Sequence, residues 1–149
     1  MTRVRNASVL AVLAVVVTIV GTMDTSRASV VHSQFSIHGT YRLTYTGLHI
    51  PSFAPESGVG IFVADGTGNI AGTEVFNVGG RVCNVTVTAT YTVNGNGTGT
   101  LSGNFTSPTP GCSGQFNSSL LIYEGGDAVK AVSIDPGFVT LSEEWRRQQ

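Results

Sequence analysis

Glu74 is the charged side chain most awkwardly placed for a surface role, because it interrupts a run whose alternate positions are Ile70, Gly72, Phe76 and Val78. If that face looks into an apolar interior, burial raises the carboxyl pKa, and the group becomes fit to hold a polar ligand atom or to act as a base. If it looks outward, or sits at a rim beside Arg42 or Arg81, it is merely solvated or paired. His32, His38 and His49 lie near one another in sequence, but no Cys or acidic residue stands at ligand spacing from them, so they read as surface histidines. No Gly-x-Ser-x-Gly elbow accompanies the many serines, and nothing implies a cofactor or a metal. Glu74 is therefore the single, weak catalytic candidate. The Asn84, Asn96, Asn104 and Asn117 sequons are acceptor sites wherever the host glycosylates exported chains.

Cys83 and Cys112 are the two cysteines of the chain. An even number of thiols in an exported protein reads as a disulfide, and export is what the N-terminus predicts. Arg3 and Arg5 precede the apolar run Val9–Val20, and a small-x-small site ends at Ala28, the pattern of a cleaved signal peptide over residues 1–28. That run is shorter than the roughly 20 apolar residues a membrane span needs. Its removal takes away Arg3, Arg5, Arg27 and Asp24, leaving five basic and eight acidic residues in 29–149. A mildly acidic body offers nucleic acid no electrostatic footprint and has no basic amphipathic helix for a membrane surface. It is expected to be secreted and soluble.

The elements that must position these residues are strands. Short runs rich in Val, Thr, Tyr and Phe alternate with Gly, Asn, Asp and Pro clusters, which predicts strands over 40–46, 59–64, 69–77, 82–93, 98–105, 115–123, 128–134 and 138–142. Residues 29–149 form one domain, with a core over about 37–147. Eight strands with short up-and-down links remove their edges by closing into an antiparallel barrel, whose interior is either filled or holds one small ligand. Pairing Val63 with Ile70 and Ile61 with Gly72 leaves Gly66-Thr67 as a two-residue turn and puts Val59, Ile61 and Val63 on the face of Glu74. In the next hairpin but one, pairing Tyr91 with Leu101, Ala89 with Gly103 and Val87 with Phe105 keeps apolar partners together and leaves a Gly95-Asn96-Gly97 loop. The same register sets Cys83 opposite Thr109, near Cys112. His49–Ser57 carries no strand pattern and reads as a link.

Gly39-Thr40-Tyr41, Asp65-Gly66-x-Gly68, the Tyr91–Gly99 hairpin and Asp135-Pro136-Gly137 together resemble a group of small secreted bacterial proteins. Those are expected to form a barrel similar to that of allene oxide cyclase and, more distantly, to be calycin-like in the manner of lipocalins. Gly39-x-Tyr41 is similar to the lipocalin Gly-x-Trp, and the resemblance implies a basic residue, Arg146 or Arg147, packed over that ring to close the barrel base. The alternative is that both arginines form a frayed tail. The glycine-rich motif of the plant cyclases is not evident, so their activity is not implied by the match.

Three roles follow. The barrel binds a small apolar molecule in space left by small residues such as Ala89 and Gly103; or its interior is filled and its outer surface makes the contacts; or Glu74, inside an accessible cavity, serves an isomerase or cyclase.

Overall fold

The computed structural model describes residues 30–149, and the expected signal peptide, 1–28, lies outside the described residues. After a single 3-10 turn, Gln34–Ser36, eight strands follow in chain order: β1 His38–His49, β2 Ala54–Asp65, β3 Asn69–Val78, β4 Arg81–Val93, β5 Thr98–Thr106, β6 Gly114–Tyr123, β7 Ala128–Ser133 and β8 Phe138–Arg147. Each pairs antiparallel with its neighbours, and β8 returns to β1, so the sheet closes as an up-and-down barrel consistent with a calycin-like fold. Every predicted strand is present.

Strict alternation sends one face of each strand inward. On β4, Cys83, Val85, Val87, Ala89 and Tyr91 are buried, while Asn84, Thr86, Thr88 and Thr90 face out. The β4–β5 register is the expected one, Tyr91 opposite Leu101 and Val87 opposite Phe105. Its loop closes through Asn94 N–H donating to Thr98 O (2.7 Å), with Gly97 at φ +85°, the left-handed position of a three-residue hairpin.

The β2–β3 register is not the expected one. Val63 pairs with Ala71 and Ile61 with Thr73, one residue away from the anticipated pairing, and the turn is the three-residue Gly66-Thr67-Gly68. The cause is Asp65, whose carboxylate accepts from Thr67 N (2.7 Å), Asn69 N (2.9 Å), Thr67 Oγ1 and Asn69 Nδ2. Four donors satisfy one carboxylate only if the loop has three residues; they also hold its pKa well below the usual carboxylate range. A one-residue slip exchanges faces, so Val59, Ile61 and Val63 are exposed, and Gly58, Gly60, Phe62 and Ala64 line the interior.

The predicted link at 49–57 is also corrected, because β1 runs to His49 and β2 starts at Ala54, leaving only Ile50–Phe53 as turn. β8 likewise continues past Ser142 to Arg147, so the arginines are part of the sheet rather than a frayed tail. Cys83 and Cys112 are buried and bonded, with Cα atoms 5.6 Å apart. β4–β5 pairing stops at Thr86–Thr106, so no ladder sets Thr109 opposite Cys83; the two-proline loop instead folds back to deliver Cys112. Closing 29 residues of chain separation stabilises the fold by about 3 kcal/mol on the chain-entropy view.

Candidate functional site

The two barrel ends differ. At the end holding the β2–β3, β4–β5 and β6–β7 turns, the chain before β1 folds across the opening. His32 N–H donates to Gly95 O (3.1 Å), and Ile37 is completely buried beneath the 3-10 turn. The Tyr91 hydroxyl donates to Ile37 O at 2.6 Å, and the Tyr41 hydroxyl donates to Gly126 O at 2.7 Å.

Arg147 ties this seal together. Its guanidinium carbon lies 5.6 Å from the Tyr41 ring centroid, and Nη2 is 3.0 Å from each of Tyr41 Oη, Ser36 O and Gly126 O. Gly39, at φ +98°, leaves Arg147 Cδ 3.9 Å from where a side chain would begin. Arg146 points the other way; it packs 5.5 Å from the Tyr123 ring and pairs with Glu124 and Glu144 on the outside.

At the opposite end the interior stays open. A cavity of about 300 Å³ runs from a floor of Leu43, Phe62 and Trp145 to a mouth formed by His49, Glu56, Asp135 and Phe138. Between them the wall carries Ile70, Phe76, Val87, Ala89, Phe105 and Phe116. Rings meet edge to face around it, Phe76 against Phe105 at 5.8 Å and Tyr45 against Phe138 at 6.1 Å. Ala89 lines the space as expected. Gly103 is not among the residues lining this cavity; a Cβ there would lie 2.5 Å from that of Ala89, so close packing of β5 on β4 requires glycine. On β2 a Cβ on Gly58 would fall 2.3 Å from Tyr45 Cε1, so glycine is what lets the tyrosine ring pack against that strand.

Glu74 lines this cavity. It stands in the row Trp145–Leu43–Gly60–Glu74–Val85, read across paired strands, and neither Arg42 nor Arg81 neutralises it. Arg81 donates outside the barrel, to Pro110 O. Burial pushes the Glu74 carboxyl up to about 7, opposed by the nearby Tyr45 hydroxyl and assisted by Glu143 and Glu56.

Three companions of Glu74 escaped the sequence reading. Tyr45 donates to Glu56 Oε1 at 2.8 Å, and Glu143 stands directly across from Tyr45 on β8, accepting from Trp145 Nε1 at 3.0 Å. Burial raises the pKa of Glu56 and of Glu143 as well, and the Tyr45 hydroxyl is driven up by burial and by the carboxylates beside it. A signal for Glu143 was available: Glu143, Trp145 and Arg147 stand at alternate positions, so a strand carried to 147 puts all three on one face, the face of the buried Trp145.

The histidines do not assemble. His32 and His38 belong to the sealed end, where His38 stacks on Phe35 at 4.3 Å, while His49 sits at the open mouth with Nδ1 2.7 Å from Ser52 Oγ. Among the described residues no group of three or more His, Cys, Asp or Glu is arranged to hold a metal ion.

No family model, no curated protein and no solved structure matches this chain. Its chemistry is therefore read from the cup and the groups lining it.

Proposed function

We propose that this protein is a secreted carrier or receptor barrel that binds one small, mainly apolar molecule in the cup above Trp145. The observation that carries the reading is the cavity itself: about 300 Å³ of aromatic and aliphatic wall, open at one end of a barrel whose other end is sealed. That volume is at the small end of the range ligand sites occupy. On β4 the outward residues from Asn84 to Thr92 are Asn and Thr while the inner face is apolar, the inverse of a lipid-facing strand, whereas β2 turns Val59, Ile61 and Val63 outward. The buried disulfide fits an oxidising compartment, and no helix among the described residues is long and apolar enough to cross a membrane.

Trp145, the single tryptophan of the chain, lies in the cavity floor and makes the test direct. Titration with uncharged N-phenyl-1-naphthylamine should quench Trp145 by energy transfer and saturate at one probe per barrel. Ala89→Phe, which places a ring in the cavity, should weaken binding at least about tenfold, the effect of losing little more than 1.4 kcal/mol. Unsaturable binding, or binding indifferent to Ala89→Phe, contradicts the reading.

A second reading has one observation in its favour. A carboxyl with a pKa of about 7, inside an accessible apolar cavity, is tuned for general acid–base work, so an isomerase or cyclase acting through Glu74 stands as the alternative to carriage alone.

A further inference from the structure

The interior is chemically lopsided in a way that a purely apolar ligand leaves unexplained. Two carboxyl groups lie against Tyr45, Glu56 from β2 and Glu74 from β3, and a third, Glu143, stands across from Tyr45 on β8 and adds its charge to the surroundings of Glu74. Against them the cavity lining offers neither Lys nor Arg, and the nearest titratable base is His49, beside Glu56 at the mouth. Tyr45 has one proton to donate and gives it to Glu56; the Trp145 indole gives its own to Glu143. Two neutral donors do not replace the hydration of three carboxylates, and an ionised carboxylate in apolar surroundings is costly until a cation joins it.

The rest of the cavity suits what such a cation would bring with it. Phe76, Phe105, Phe116 and Phe138 line the space, and Phe62 and Trp145 lie in its floor, aromatic rings that offer apolar area and of a kind that attracts a positive charge. A neutral ligand would leave the acidic wall unmatched, and an anionic one would be repelled by it. A bare metal ion would lack an arranged ligand set among the described residues.

We infer that the ligand class of this cup is a small amphiphile bearing a protonated amine, its ammonium set against Glu74 and Glu56 and its apolar body resting on Phe62 and Trp145. The inference rests on the cup being a small-molecule site and names the chemistry of that site's occupant. Binding the ammonium requires Glu74 to ionise, so affinity rises with pH through the region where that carboxyl loses its proton; the groups facing it are Tyr45, Glu56 and Glu143.

The test is calorimetric titration of residues 29–149, disulfide intact, with three probes of matched shape: 4-phenylbutylamine, 4-phenylbutanol and 5-phenylpentanoate. At pH 8 the amine should bind about tenfold or more tightly than the alcohol, the gain of one charge-assisted hydrogen bond, and the acid should bind worst. The amine's advantage should shrink between pH 8 and pH 5.5, where the amine keeps its charge and Glu74 does not. In Glu74→Gln it should fall to about threefold or less. Wild-type protein binding the alcohol as tightly as the amine, or an advantage indifferent to both pH and substitution, overturns the inference. If N-phenyl-1-naphthylamine binds but none of the three probes does, the amine class is wrong and the carrier reading stands. If the naphthylamine fails as well, the carrier reading falls, and this inference with it.

Discussion

Without ligand, the wild-type barrel should be less stable at pH 8 than at pH 5.5, and Glu74→Gln should remove most of that difference while raising stability at pH 8. The sign follows from linkage. The folded-state pKa of Glu74 is raised from 4.5 to about 7, so between those values the folded protein holds a proton that the unfolded chain has lost. Stability therefore falls as pH rises through that window, and the full cost of burying the charge is felt above it. A shift of that size corresponds to about 3 kcal/mol. Glu56 and Glu143, raised in the same direction by burial, leave a residual slope in the variant. Asp65 and Glu144, whose pKa values are lowered, act below the ordinary carboxylate range and do not touch this interval. Urea unfolding at the two pH values, followed by Trp145 emission, gives the answer; a wild-type barrel more stable at pH 8 would place Glu74 in water and not in the cup.

Arg147→Ala should cost about 3 kcal/mol, a large loss for one residue near the end of a chain. A charge-assisted hydrogen bond is worth about 1.5–3 kcal/mol, and Arg147 shares such bonds among Tyr41 Oη, Ser36 O and Gly126 O while covering the Tyr41 ring. Truncation removes this donor from Ser36 O and Tyr41 Oη and leaves Gly126 O with the Tyr41 hydroxyl. Arg147→Lys should recover less than half, because a point ammonium cannot reach three acceptors from one plane. Arg146→Ala, which loses exposed pairs with Glu124 and Glu144 and a contact with the Tyr123 ring, should change little. Chemical denaturation of the three variants separates these expectations, and equal losses for Arg146 and Arg147 would show that the sealed end is not held as described.

The strands were legible because turn chemistry and period-2 alternation agreed along the chain. Where both sides of a hairpin alternated clearly, as in β4 and β5, even the register could be read, since a slip would have put Thr against Tyr. The β2–β3 hairpin misled for a physical reason. Val59, Ile61 and Val63 look like core, but the inward row is Gly58, Gly60, Phe62 and Ala64, whose glycines accommodate the rings of Tyr45 and Phe62. What settles that register is the Asp65 carboxylate satisfying donors on Thr67 and Asn69, a local polar preference that outweighs exposing three aliphatic side chains. Glu74 could be singled out from its strand alone. Glu56 could not, because it fell in a stretch whose Pro55 and Gly58 mask the strand pattern, and Glu143 is missed when the last strand is ended at Ser142, although the alternation of Glu143, Trp145 and Arg147 carries it on. That Glu143 comes beside Tyr45 and Glu74 depends on closure of β8 onto β1, a contact between residues about a hundred positions apart.

The most direct test of the account is the mass of the protein as recovered from its own cells. It should be isolated without detergent and weighed first under native and then under denaturing conditions. A single noncovalent adduct, near one per barrel, lost on denaturation and absent from Ala89→Phe, is the predicted result. A clean polypeptide mass after gentle recovery, with Ala89→Phe indistinguishable from wild type, would contradict a ligand-carrying cup and turn attention to the outer face of the barrel.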